Sequence, residues 1–472
     1  MDYQEAYRQL FLSLGGDVAG RQAAQEYLDN STAIYHDEVI GIAALPRICD
    51  MEQLLVLDTV ASTTYSILSK VTRLYQRDAQ YRQLFGFAPL LERLICLPTG
   101  YDSIIPIMRA DIFLDLATMD FQFCEFNTDG TSAMNEDREG ANALSRSATC
   151  QLAATQLLLQ PQELFDNWVD GFLGIYAGSE QALSNPTVAI VDYAASGTLY
   201  EFEQFRQRFA ARGLNCLVCD IPSLQWRDGV LYGSDLNPQA PGYNRPQRID
   251  AIYRRAVSGE ILAELLSRSP DCCGAHALLH AVEQQAVTMI GGFNTHVAHS
   301  KRVFAVLHRP ETMALLSDAE QDFIRQHVPY TTLLAERFID LEAVKEDKNH
   351  WIIKPEDGYA AKGVHAGRDY TTDSWATLID ELANTNYIAQ NYAAQQPVPN
   401  TRLTPIGLDP AQLEPWNLLT GLYLYNGRLS GLYVRAGQSG LIAGFAGGIT
   451  VPTLLAAYDP AAGLHLRTRD FA

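Results

Sequence analysis

The segment Ile105-Pro-Ile-Met-Arg109-Ala-Asp111 constrains this chain more than any other stretch, because it sets two charges inside an apolar run. It reads as a strand, and residues two apart on a strand share a face, so Arg109 and Asp111 point together. Phe121-Gln-Phe-Cys-Glu125-Phe-Asn127 repeats the pattern with Glu125 and Asn127. If the two strands form a hairpin turning near Thr118, cross-strand pairs have a constant index sum. Asp111 then lies opposite Glu125, and Arg109 opposite Asn127. Two carboxylates and an amide oxygen meet on one patch beside an arginine. Such oxygens suit Mg²⁺, which takes few protein ligands and shares the rest with phosphates. On chemistry alone, a solvated sheet face with a salt bridge accounts for these residues equally well. The flanking Ile, Phe and Cys weigh toward a half-buried site, where paired carboxylates need a counter-charge. Gly130-Thr-Ser132 follows, offering N–H groups and hydroxyls to an anion or simply a polar turn into a helix.

Four further stretches carry charge in informative places. In His350-Trp-Ile-Ile-Lys354-Pro-Glu-Asp-Gly358, a strand ends in a lysine and gives way to a small-residue loop holding Lys362 and Gly363. Such a loop lets backbone N–H groups close over phosphates while lysine supplies charge. Its spacing is not that of a Walker A loop, and a surface hairpin explains it too. Ser300-Lys301-Arg302 opens an apolar helix, and a lysine there opposes the helix dipole, so helix stability is not its purpose. Tyr387-Ile-Ala-Gln390-Asn-Tyr392 is a short strand entering a Pro-rich loop. Asn426-Gly427, between alternating residues, signals a two-residue hairpin whose second arm ends in Arg435.

Length and charge narrow the function classes. A chain of 472 residues should hold two or three structural units. A formal charge of −20 excludes a nucleic-acid partner and requires any nucleotide site to gather its Lys and Arg locally. No apolar run reaches the ~18–20 residues that cross a bilayer, and Met1-Asp-Tyr-Gln-Glu has no signal-peptide character. Cys216 and Cys219 form a CxxC that reads as buried strand, with no second pair at zinc spacing. The adjacent Cys272-Cys273 is given no role. A reduced, cytoplasmic protein without a membrane partner is expected.

Along the chain, residues 1–100 are mainly helical in pattern, with apolar residues at three- and four-residue spacing over 54–74. Residues 101–180 hold the two strands, then helical stretches over 136–159 and 163–176. Residues 181–270 begin a strand–loop–helix–strand unit, with a helix over 199–212 and a strand over 214–219, continued by Ala251-Ile-Tyr-Arg254-Arg255. That is the signature of a Rossmann-like layer. Residues 271–472 mix helices with Gly-rich hairpins. The fold class is α/β (α+β), without internal repeats.

Taken in order, the motifs between residues 109 and 450 resemble the synthetase domain of glutathionylspermidine synthase and its circularly permuted ATP-grasp relatives. The resemblance implies an ATP-grasp fold with a pre-ATP-grasp layer at 186–255 and a helical N-terminal region. It implies that Asp111, Glu125 and Asn127 hold Mg²⁺, and that Arg109 and Lys354 act on the transferring phosphoryl group. Lys301, Lys354, Gly358, Lys362, Gly363, Gln390 and Arg435 would bind ATP, with Gln390 beside the adenine. Gly130, Ser132 and Arg255 would face the acid substrate. The implied activity is ATP-dependent ligation of a small-molecule or peptide carboxylate to an amine through an acyl phosphate. Departures from the family pattern are Tyr359, where the family has an arginine that Lys362 could replace, and Ala436-Gly-Gln-Ser-Gly440 in place of an acidic stretch. With no amidase domain ahead of it, amide hydrolysis is not implied. The competing readings are a nucleotide-binding protein without ligase activity, which would have little need for three metal ligands, and a small-molecule phosphotransferase.

Overall fold

The hairpin forms in the register that alternation requires. In the computed structural model, strands Ile107–Leu114 and Phe121–Asn127 pair antiparallel, with Arg109 opposite Asn127 and Asp111 opposite Glu125. Past Asp111 the register slips by one, so that Ile112 faces Phe123 and Cys124 is left without a partner of its own. A bulge of this kind frees a backbone group to serve something outside the ladder. The structure describes residues 1–35, 38–240, 242–267, 273–358, 361–404, 409–442 and 447–471.

The hairpin sits at one side of a six-stranded antiparallel sheet completed by Pro397–Asn400, Glu414–Tyr425, Arg428–Gly437 and Ile449–Val451. Glu414–Tyr425 pairs with Ile107–Leu114 on one side and with Arg428–Gly437 on the other. The tight turn from Glu414–Tyr425 into Arg428–Gly437 is Asn426-Gly427, with φ of 48° and 80°. Both residues occupy the left-handed region, as a two-residue hairpin of this hand demands. A second antiparallel sheet runs Thr331–Leu333, Tyr387–Asn391, Trp351–Pro355, His365–Ala366. The two sheets meet where Lys354 Nζ donates to the carbonyl of bulged Cys124 at 3.1 Å.

A third sheet is parallel, in the order Thr288–Ile290, Ala251–Arg254, Val188–Asp192, Cys216–Asp220. Its strands are almost wholly apolar, as strands covered on both faces must be. The helix Leu199–Ala211 crosses between two of them and buries Phe202, Phe205 and Phe209 against Trp168, Phe172 and Tyr253. Each such ring contributes roughly 1.5–3 kcal/mol on burial. Cys216 and Cys219 are buried and free within their strand. Cys272 of the adjacent pair lies outside the described residues.

In the first hundred residues the long helix Met51–Arg77 opens on a capping box of Asp50 and Gln53 and buries one apolar stripe from Leu54 to Tyr75. Helices Tyr3–Ser13, Val18–Asp29 and Pro89–Ile95 accompany it, with short strands such as Arg47–Cys49 between them. One sequence expectation fails here. Residues 136–159 are not one helical stretch but the helices Met134–Leu144 and Ala148–Gln156 followed by the strand Leu159–Pro161. The break is made locally by Ser147, whose hydroxyl caps Cys150 N, and at long range by Asp17, whose carboxylate accepts from Thr149 N at 2.7 Å. Among the described residues no helix is long and apolar enough to cross a membrane.

Candidate active site

Each of these three sheets contributes a wall to one cavity of about 700 Å³, and Tyr35 and Val39 from a short two-stranded ribbon also line it. The hairpin brings Arg109, Glu125 and Asn127, the second sheet Ile352, Lys354 and Gln390, and the parallel sheet Asp192 and Arg255. The last two lie at or just past the carboxyl ends of parallel strands, where open α/β sheets bind ligands. Every residue to which the family resemblance assigned a metal, nucleotide or substrate role lines this cavity except Asp111, Gly358 and Gly363.

At one end, cations converge on Glu125. Lys301 Nζ lies 3.5 Å from its Oε2 and also donates to the carbonyl of Gly358 at 2.8 Å. Lys354 is buried, its ammonium shared between Cys124 O and Gln390 Oε1 at 2.8 Å. Burial works to raise the Glu125 carboxyl, but Lys301, Arg435, Lys354 and Arg109 together hold it well below the usual carboxylate range. These cations favour the ionised form of Glu125.

Asp111 is placed differently from expectation. Its carboxylate takes Arg109 Nε at 2.6 Å, Arg109 Nη2 and Arg435 Nη2 each at 3.0 Å, and Asn127 Nδ2 at 3.3 Å. Fully engaged and 1% exposed, it holds two arginines rather than facing the cavity. The reason is the strand order, which sets Gly421 between Asp111 and Tyr433. A Cβ on Gly421 would stand 2.5 Å from Arg109 Cδ and 2.8 Å from Asp111 Oδ1, so the absence of a side chain lets the pair fold over it.

Gln390 lines the cavity, its amide oxygen accepting from Lys354 and one N–H donating to Thr331 Oγ1 at 3.0 Å. It steadies the lysine and keeps a second N–H and a second lone pair. Gly358 and Gly363 turn the loop at φ of 146° and 71°, while Lys362 reaches the cavity. Tyr359 lies outside the described residues.

The other end is built by the turn entering helix Met134–Leu144. Ser132 O accepts from Arg109 Nη1 at 3.0 Å and Tyr423 OH at 2.6 Å, tying this turn to the arginine. Gly130, at φ 62°, passes so close to Arg255 that a Cβ would meet its carbonyl at 2.5 Å. Arg255 is buried and paired with Glu201 at 2.7 Å, and Glu201 in turn caps the helix through Met134 N.

Sequence reasoning missed Tyr433 and Glu136. Tyr433 stands two residues before Arg435 on the same face of its strand. Its ring lies under Arg109, with Cζ 5.3 Å from the centroid, and under Arg435 at 5.9 Å. Its hydroxyl donates to Glu136, which also lines the cavity. Asp192, pushed up to about 6 by burial against the pull of Arg255, was likewise unforeseen.

The donor set fits one magnesium ion held by few protein oxygens. Glu125 and Asn127 present an ionised carboxylate and an amide oxygen at the cavity, and among the described residues no three acidic, His or Cys side chains cluster for a metal. The remaining ligands would come from phosphates, as Mg²⁺ prefers.

Comparison with known proteins agrees with this architecture. A search of curated sequences gave no match. Among solved structures, the chain resembles a glutathione synthetase-like effector (GSS30) of Globodera pallida in its apo form, with a TM-score of 0.57 and 10% identity. The likeness covers 93% of this chain and 97% of that one, and at such identity it speaks for the fold alone. The family described as circularly permuted ATP-grasp type 2 matches residues 181–430, more than half of the sequence, and this chain belongs to that family.

Proposed function

We propose that the protein is an ATP-dependent carboxylate–amine ligase working through an acyl phosphate. The observation that carries the reading is the division of the cavity. Arg109, Arg435, Lys301 and Lys354 surround an ionised Glu125 at one end, while Ser132, Glu136, Asp192 and Arg255 line the continuous space at the other. A phosphoryl donor suits the first end and an acid with its amine partner the second.

Phosphoryl transfer asks the protein mainly for positioning and charge. Lys301 and Lys354 would hold the nucleotide phosphates, with Lys362 closing on them and Gln390 keeping Lys354 in place. Ile352, Val364 and Tyr392 would border the base. Glu125 and Asn127 would hold Mg²⁺, which would neutralise charge on the transferring group. Arg109 and Arg435, aligned by Asp111, would face the oxygens that gain charge as the carboxylate attacks. Ser132 and Gly130 would bound the acid, with Arg255 and Glu201 fixing the turn that carries them. The parallel-sheet unit would act as the pre-ATP-grasp layer. The charge balance of −20 and the reduced cysteines are in keeping with a cytoplasmic enzyme acting on small molecules or peptides.

The test is ADP release with Mg·ATP and pooled carboxylates, with and without pooled amines, by wild type and Glu125→Gln. Amine-dependent release that Glu125→Gln abolishes supports ligation. ADP release with acid alone, unaffected by amines, would favour a phosphotransferase instead. No release from any pool would sink both.

A further inference from the structure

We infer that Glu136 takes the proton from the attacking amine, an inference that rests on the ligase reading above. An alkyl amine is almost wholly ammonium at neutral pH, as the ordinary lysine value of about 10.4 indicates, and has no lone pair to give until a base removes a proton. The site therefore needs an acceptor near the acyl phosphate.

Glu136 sits in the first turn of helix Met134–Leu144, one turn past Ser132. Its Oε2 receives the Tyr433 hydroxyl and Thr450 Oγ1 at 3.2 Å, and no hydrogen bond from a described residue reaches Oε1. The side chain is thus fixed at one oxygen, on the wall of the cavity. Tyr433 bridges it to the proposed reaction centre, since Arg109 and Arg435 lie over that ring. Other carboxylates on the cavity wall are poorer candidates: Glu38 is exposed, Asp129 is spent on Arg254, and Glu260 lies on helix Ser258–Leu266 beside the parallel sheet, where it accepts from Ser196 Oγ at 3.4 Å. Glu125 is held strongly acidic by four cations, and Asp111 is spent on two arginines. Asp192 stands at the parallel-sheet end and accepts from Tyr193 N at 2.8 Å.

The charges facing Glu136 suit a base of moderate strength. Burial and the like charge of Glu201 push its carboxyl up, while Tyr433, Thr450 and Arg435 oppose. Tyr35, from the strand Ile34–Tyr35, also feels its charge. Burial, with Glu136 beside it, keeps Tyr433 protonated and so a donor. In the step itself, the ammonium first gives one proton to Glu136 Oε1, which passes it to solvent, and the freed lone pair forms the C–N bond to the acyl carbon. The C–O bond to phosphate breaks, and phosphate leaves with that electron pair. The second nitrogen proton goes to the departing phosphate, leaving the neutral amide.

Hydroxylamine separates this role from a structural one, because it is already neutral at pH 7 and needs no base. Wild type, Glu136→Gln and Tyr433→Phe are given Mg·ATP and pooled amino acids and short peptides as acids, with either hydroxylamine or pooled alkyl amines. For Glu136→Gln we expect hydroxamate formation within a few-fold of wild type, while amide formation falls on the order of 10²–10⁴-fold. Raising the pH should recover part of the amide rate by supplying free amine. Tyr433→Phe, which keeps the ring under both arginines, should show a smaller split in the same direction. Equal losses with both nucleophiles, or no loss with either, overturn the inference, as does a split shown by Asp192→Asn in place of Glu136→Gln. A wild type that makes hydroxamate but no amide with any amine overturns it as well. A wild type that makes neither removes the ligase reading and the inference together, a result distinct from the others.

Discussion

Two arginine–aspartate clusters, built from the same chemistry, have opposite fates in this molecule. Arg254 and Asp129 are sealed, with side chains 1% and 0% exposed. Asp129 accepts from Arg254, Thr295 Oγ1 and Ser258 N, with His296 Nδ1 at 3.5 Å, and the remaining Arg254 donors end on Ala256, Gly291 and Gly292 carbonyls. It fastens the turn after Asn127 to the end of a parallel strand and to the segment leading to Lys301. Arg109, Asp111 and Arg435 form an open cluster instead. Two guanidiniums share one carboxylate, so positive charge remains, and Arg435 is 24% exposed toward the cavity. A closed, balanced pair holds a fold, whereas an open, unbalanced one is set to meet an anion. The sealed cluster positions the loops, and binding is the role proposed for the open one.

That contrast can be broken at either end. Asp129→Asn leaves Arg254 buried without its counter-charge and should cost about 3–5 kcal/mol, read by denaturant unfolding. Burial tends to raise the Asp129 carboxyl, but Arg254 and its histidine neighbours hold it well below the ordinary value. A carboxyl lowered in the folded state stabilises above its unfolded value near 4 and loses that contribution as pH falls through the folded one. The acid limb of the stability curve, below about pH 4, should therefore flatten in the variant. Arg109→Met should do the reverse, lowering turnover on the order of 10²–10³-fold with a smaller change in stability, since Arg435 still pairs Asp111. Comparable stability losses in the two variants would erase the distinction.

Subtler changes sharpen it. Gly421→Ala drives a methyl into Arg109 and Asp111 and should lower turnover by up to about 10²-fold through misplacement alone. Gln390→Met removes one partner of Lys354 and should raise KM for ATP on the order of ten-fold, with a smaller effect on kcat. A kcat loss without a KM change would mean that Gln390 serves something other than the lysine.

The hairpin register was legible because it needs only alternation and one turn, and both cross-strand pairs at Arg109 and Asp111 follow from it. The commitment of Asp111 was not legible, since Arg435 arrives from a strand far along the chain. Arg254 and Arg255 had to point to opposite sides of their strand, yet only the packing around Asp129 decides which one is sealed. Tyr433 could have been found from its spacing to Arg435, but its partner Glu136 depends on where a helix starts, and that start is set by Glu201 from another element. The break near Ser147 depends in the same way on Asp17.

The most direct test of the central claim follows oxygen. Pooled carboxylates labelled with oxygen-18 are incubated with the protein, Mg·ATP and pooled amines, and the inorganic phosphate is analysed. An acyl phosphate made at the Arg109–Arg435 end carries a substrate oxygen between carbon and phosphorus, and amine attack at carbon sends that oxygen away with phosphate. The account predicts one labelled oxygen per phosphate released, lost together with turnover in Arg109→Met. Unlabelled phosphate accompanying amide formation would contradict it.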